Sequence, residues 1–411
     1  MSIPILTESV GGVNIKWADY PFIARVRQIH AHKDGRVTAE LTIYLIEDDQ
    51  EKLLYPTTQV NMVAERTRQS LAKSIEIQAS SNYPWQEIVY QICQKVVEYS
   101  RKGEAGETLV VVEGGEIIPP SYLLEPVIMA GVPSVIFGEK GMHKTTLGLL
   151  FTLCISLPWH DNPFELKTNS LRSEVGMLDW ESDKSLTLYT LQRLLNGSGL
   201  QSFALNYRRC IPPLAEDIEQ IAKFLDDKKC DVILIDSIGA ACGGDLMKPE
   251  YALRFFQALR SLNRTSLSIA QTSKNEEGKK TIFGSTYFQY YSRNIFELKK
   301  SSDAYDKDET KVALFHKEGN YSGKYDPIGF RFHFSPTSIK VEREPVDFGE
   351  FMERINRQKL LLELLKDGAL TTDQIKDKME ISRANADMLI KRLRDKKRIV
   401  KNKEGAWGLL I

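Results

Sequence analysis

The segment "VIFGEKGMHKTTLGLL", Val135 to Leu150, carries an apolar run through a glycine-containing turn into Lys144, Thr145 and Thr146, and then into an apolar helix. Glycines in such a turn let backbone N–H groups converge on an anion. The helix that follows points its positive end at the same place. The Lys144 amine would reach the β- and γ-phosphates, and the Thr145 hydroxyl would hold Mg²⁺. The pattern is a phosphate-binding loop, G-x-x-x-x-G-K-[ST], in which His143 occupies the place of the second glycine. Gly138, Glu139, Lys140, Gly141, Met142, His143, Lys144, Thr145 and Thr146 are therefore predicted to line a nucleotide.

Further polar residues close later apolar runs. Asp236 ends "CDVILIDS", where a carboxylate holds Mg²⁺ through water. Glu181 follows the run in "EVGMLDWESD" and could orient and deprotonate an attacking water; Asp179 and Asp183 compete with it for that role. Gln271 ends "SLSIAQTSK" and could sense the γ-phosphate. The implied chemistry is Mg²⁺-assisted ATP hydrolysis by in-line water attack. Two readings of His143 stand: its ring packs away from the phosphates, or it donates to them.

Such residues must sit at the carboxyl ends of parallel strands, where α/β folds bind ligands. Between about 120 and 345 the sequence supplies them. The strand runs "PSVIFG", "EVGMLDW", "CDVILIDS", "TSLSIAQT" and "RNIFELKK" alternate with helical stretches, which implies a mainly parallel sheet covered on both faces. "KVALFHKEGN" and "GFRFHFSPTSIKVERE" read as antiparallel additions at its edge. The fold class is α/β, with residues 119–348 as the nucleotide-binding core, 1–118 as an α+β accessory module and 349–411 as a third domain.

In the first module, "FIARVRQIHAHKDGRVTAELTIYLI" reads as a hairpin, "WQEIVYQICQKVVEYSRKGE" as a helix and "TLVVVEGG" as a further strand. The proline-bearing "EIIPPSYLLEPVIMAGVP" reads as a linker. The last region gives helix, helix, helix and hairpin, the order of a winged helix. "LTTDQIKDKME" opens on a Thr cap, "SRANADMLIKRLRDKKRIV" opens on Ser382, and a Glu-Gly turn closes the hairpin.

Composition narrows the class. Lys and Arg number 55, as do Asp and Glu, so global charge argues neither for nor against nucleic acid. The tail is locally basic, with fourteen Lys and Arg against eight Asp and Glu from Arg357 to Ile411. Arg383, Lys391, Arg392, Arg394, Lys401 and Lys403 are the residues expected to meet DNA phosphates, though winged helices also contact protein. Five dispersed cysteines and no visible signal peptide imply reduced thiols and a cytoplasmic location. The longest apolar stretch, near Leu147 to Trp159, is too short for a membrane span.

The central pattern resembles the RecA-type ATPases of the RepA-like hexameric helicase family, found on plasmids, phages and integrated elements. The resemblance covers about residues 120 to 335, from "YLLEPVIMAGVPSVIFGEKGMHKTTLGLL" through "DVILIDSIGAACGGD" to "QTSKNEEGKKTIFGSTYFQYYSRNIFEL". It implies a homo-oligomer, hexameric in the family's pattern, with ATP between subunits. Arg293, after Gly284 and Ser285, and Lys317 in "HKEGN" would act as fingers on a neighbour's γ-phosphate; a structural Arg–carboxylate pair is the other reading of Arg293. The loops "GGDLMKPEY" and "SKNEEGKKT" would couple hydrolysis to DNA, single-stranded in the ring or duplex on the tail. Gln271 departs from the histidine many members carry there. Alternatives are an ATP-switched DNA-binding regulator or loader that unwinds nothing, and a scaffold whose assembly nucleotide stabilises.

Overall fold

The computed structural model describes residues 3–410 except 33, 49, 80–82, 103–107, 109–110, 112–113, 118, 158, 275–279, 285, 302–307, 320–323, 347–353, 380 and 404. Ser285, Glu404 and most of the "SKNEEGKKT" loop lie outside the described residues. The chain divides into two compact units: residues 1–120, 210–231 and 240–264 form one, and 121–209, 232–239 and 265–411 form the other.

The first unit opens with an antiparallel sheet in the order β1-β2-β3-β4-β5. Its strands are β1 (Ile5–Ser9), β2 (Gly12–Lys16), β3 (Phe22–Ala31), β4 (Val37–Glu47) and β5 (Gln50–Asn61). The predicted hairpin is β3–β4. β5 was illegible because "QEKLLYPTTQVN" is polar and holds Pro56, which an edge strand tolerates since its outer N–H groups face no partner. α1 (Glu65–Gln78) and α2 (Trp85–Arg101) follow, and α2 buries Trp85, Ile88, Val89, Ile92, Cys93 and Val96 along one stripe. The run "TLVVVEGG" forms no strand among its described residues, and Val111 there is exposed.

In the second unit the proline-bearing segment is more than a linker. β6 (Tyr122–Glu125) and β7 (Ile128–Met129) pair with each other, and β6 also pairs with β9 (Lys167–Thr168). The main sheet runs β11-β10-β12-β13-β8-β15-β16-β17-β18. Its strands are β8 (Pro133–Gly138), β10 (Val175–Asp179), β11 (Asn206–Arg209), β12 (Val232–Asp236), β13 (Thr265–Lys274), β15 (Asn294–Lys300), β16 (Glu309–Gly319), β17 (Ile328–Phe334) and β18 (Ile339–Glu344), with β14 (Lys280–Ile282) hairpinned onto β13. From β11 to β15 the strands are parallel, and β16 to β18 continue antiparallel. The fold is α/β with a mixed, mostly parallel sheet. Every residue of β10 and β12 is buried, as expected of strands covered on both faces. α3 (Lys144–Ser156) and α4 (Lys184–Ser198) pack with β17 and β18 into one apolar core.

The tail of this unit comprises helices Arg354–Leu364, Thr372–Lys378 and Arg383–Asp395, then the hairpin β19 (Ile399–Lys401) and β20 (Trp407–Leu409). Thr371 makes a capping box with Gln374, and Ser382 caps the third helix. Leu361, Ile375, Ala386, Leu393, Ile399 and Trp407 form its core. No helix among the described residues is long and apolar enough to cross a membrane. All five cysteines are buried and unbridged.

Candidate active site

β8 ends at Gly138, and α3 begins at Lys144. Gly138 has to be a glycine, because a Cβ there would lie 2.7 Å from the Leu298 carbonyl oxygen of β15. Gly141 turns the loop at φ +79°. His143 supplies the last left-handed step, at φ 59° and ψ 32°, a region in which His is more tolerated than most side chains. The first turn of α3 carries no acidic residue, so its amino end keeps its positive potential for an anion.

Lys144 Nζ donates to the Gly138 and Glu139 carbonyls at 2.9 and 2.8 Å, which folds the amine into the loop. Burial pulls its pKa down, while Glu181, Asp236 and Glu139 push it back up. Thr145 Oγ1 donates to Asp236 Oδ2 at 2.7 Å. Asp236 is 1% exposed, and burial pushes its carboxyl up to about 6 against the opposing Thr145 bond. Its Oδ1 is buried and has no hydrogen-bond partner among the described residues. A bare buried carboxylate oxygen is costly. Beside a Thr hydroxyl at a phosphate loop, it is the donor that a hard divalent cation takes, directly or through water, so the residues present fit Mg²⁺.

The three carboxylates after β10 separate by their bonds. Asp179, in register with Asp236, is fully buried. It accepts from the Glu181 and Ser182 amides at 3.0 and 2.8 Å and from Tyr207 Oη at 3.0 Å, and thereby braces the turn. Asp183 accepts from the Leu186 amide and caps α4. Glu181 is exposed, and one of its carboxylate oxygens accepts from Ser237 Oγ. Sequence reasoning missed Ser237, which follows Asp236 directly and is 2% exposed. A hydroxyl directly after the strand-ending Asp236 was the available signal.

Gln271 pairs in register with Gly138, so its exposed side chain emerges beside the loop. Lys140 and Gly141 are exposed, Glu139 and Met142 are half-buried, and Thr146 is buried. His143 packs its ring at 4.7 Å from Phe334 and 5.9 Å from Phe332. Burial, with help from Lys300, holds the imidazole below its usual pKa, so it is neutral at pH 7 and adds no charge to the loop.

Arg293 is not brought to this cluster by its backbone. The Arg293 amide donates to the Pro133 carbonyl, at the opposite end of β8 from Gly138 and roughly 16 Å away at the usual strand rise. Lys317 Nζ bonds Glu297 Oε2 at 3.0 Å, beside the longer Lys299 contact at 3.7 Å, and Glu297 is 2% exposed. On the tail, Lys391, Lys401 and Lys403 are exposed and Arg392 is half-buried. Arg383 pairs with Asp373 and Arg394 with Asp395. Trp407 is buried beneath Lys401, as part of the tail core.

No curated protein sequence matches the chain. Among solved structures, a KaiC-like protein of Pyrococcus horikoshii OT3 aligns at 13% identity and a TM-score of 0.38, over 55% of this chain and 96% of its own. Residues 104–277 match the family described as AAA domain, a segment that holds the loop, Glu181, Asp236 and Gln271.

Proposed function

We propose that this chain is a DNA-dependent ATPase, a replicative-type helicase or DNA-remodelling motor of a mobile element, that hydrolyses ATP where subunits meet. The observation that carries the reading is the convergence of Lys144, the Thr145–Asp236 pair and Glu181 at the carboxyl ends of the parallel strands β8, β10 and β12. Thr145 and Asp236 would hold Mg²⁺, which would supply charge neutralisation to the phosphates. The loop amides and Lys144 bind the phosphates. Glu181, steadied by Ser237, orients the attacking water and takes its proton. Gln271 contacts the γ-phosphate.

Arg293 lies at the opposite end of the strands from its own loop, which supports a finger acting on a neighbour's nucleotide in a homo-oligomer such as a hexamer. Lys317 bonds Glu297, which favours Arg293 over it in this reading. We read the tail as a winged helix that meets DNA phosphates through Lys391, Arg392, Lys401 and Lys403, with Arg383 and Arg394 at its flank. The RepA-like resemblance, over about residues 120 to 335, supports the motor reading of the core.

Phosphate release from Mg·ATP, with and without single-stranded DNA, tests this directly. The wild type turns over faster with DNA, and Lys144→Ala is silent. Wild-type protein that releases no phosphate even with DNA overturns the motor reading. On the tail, Lys391→Ala and Lys401→Ala each weaken DNA binding and cut the slope of log affinity against log salt by about 1. Slopes unchanged in both variants remove the tail from the DNA interface.

A further inference from the structure

The phosphate loop of this chain is fastened from outside. His143 holds a left-handed backbone that glycine would adopt without steric cost, so the residue needs a reason to be there. Its carbonyl accepts the first bond of α3 from the Leu147 amide at 3.0 Å, and thus belongs to the helix start itself. Its ring faces Phe332 and Phe334, two residues apart on β17 and therefore on one face of the sheet. Those two rings stack at an interplanar angle of 12°.

Phe334 is in turn held by α4. The Arg193 guanidinium lies 5.9 Å from its ring centroid and 5.0 Å from that of Tyr189. The same guanidinium donates to the Ser335 carbonyl, and Asn196 donates to the Thr337 carbonyl at 2.8 Å. The turn after β17 is thus tied to α4, and α4 starts just after Glu181.

We infer that His143 is a positioning residue: stacked on Phe334, it pre-organises the phosphate loop and links it through Arg193 to α4. This deepens the nucleotide-site reading and rests on it. A loop already fixed pays no ordering cost when nucleotide arrives, so the anchor shows in affinity. Once phosphates occupy the loop they fix it themselves, so turnover at saturation changes little.

The variants are His143→Asn, which tolerates the left-handed backbone but has no ring, His143→Gly, Phe334→Leu, Phe334→Tyr and the double His143→Asn/Phe334→Leu. Two quantities are read: KM and kcat for Mg·ATP, and hydrogen exchange of the loop amides 139–145 in the ligand-free protein. His143→Asn, His143→Gly and Phe334→Leu each raise KM about tenfold and each speeds loop exchange, and Phe334→Leu, which lies outside the loop, keeps kcat within about twofold. Phe334→Tyr keeps the ring and retains wild-type values, and the double variant is no worse than either single one. Unchanged loop exchange in His143→Asn, or additive effects in the double variant, overturns the anchor. If Phe334→Leu does not fold, the paired His143→Asn and Phe334→Tyr results decide. Wild-type protein that neither binds nor hydrolyses ATP defeats the nucleotide reading alone, because exchange of the ligand-free loop still reports on the stack.

Discussion

Glu181→Gln is expected to bind Mg·ATP with near wild-type affinity and to hydrolyse it about 10²–10⁴-fold more slowly, the usual range for loss of a positioned general base. The amide can still accept from Ser237 Oγ, so the local structure survives. What disappears is the group that takes the proton of water. The neighbouring carboxylates give different results. Asp183→Ala uncaps α4 and costs about 1 kcal/mol of stability, with hydrolysis retained. Asp179→Asn keeps an oxygen for the Glu181 and Ser182 amides, which both donate to Oδ1, and puts its NH₂ where Tyr207 Oη donates to Oδ2. It lowers stability by about 1–3 kcal/mol through the lost Tyr207 bond to a charged acceptor. Single-turnover hydrolysis and thermal melts on the three variants separate these outcomes. Glu181→Gln hydrolysing at the wild-type rate would exclude Glu181 as the base.

The sequence could present that choice but could not make it. Alternation along "EVGMLDWESD" places three acids near a strand end, yet their roles depend on partners far away in the chain: Tyr207 for Asp179 and Ser237 for Glu181. The parallel strands were legible because each is a short, uniformly apolar run between helices. Strands at an edge, such as β5 with Pro56, carry no such signal. Nor could local pattern foretell that residues 210–231 and 240–264 group with the first 120 rather than with the strands around them, since that grouping is set by tertiary contact. His143 was visible as a departure from a motif. Its aromatic partners sit in β17, nearly two hundred residues on, and only the antiparallel additions to the sheet bring them to the loop.

Asp236→Asn is expected to abolish hydrolysis and, at the same time, to make the ligand-free protein more stable at pH 7.5. Burial pushes the wild-type carboxyl up to about 6 in the fold, against 3.8 for an ordinary Asp. Below about pH 4 the group is protonated in both folded and unfolded chains and contributes no difference. Between about 4 and 6 the folded chain keeps the proton that the unfolded chain releases, so stability falls as pH rises. Above about 6 both states are ionised and the full penalty, up to about 3 kcal/mol, is present. Asparagine carries no charge to bury and can still accept from Thr145. Melting curves of wild type and variant should therefore coincide near pH 4 and diverge through pH 6, with the variant higher by several degrees at pH 7.5. Mg·ATP closes the gap from the wild-type side, because a cation at Asp236 Oδ1 compensates the charge that burial opposes, and the variant gains less. A variant that melts below wild type at pH 7.5 would mean that the carboxylate is satisfied by the protein alone. A gap that Mg·ATP leaves untouched would place the cation elsewhere. The expected pattern makes Asp236 a residue kept at a cost to the fold, which is what a buried, half-partnered carboxylate beside a phosphate loop should be.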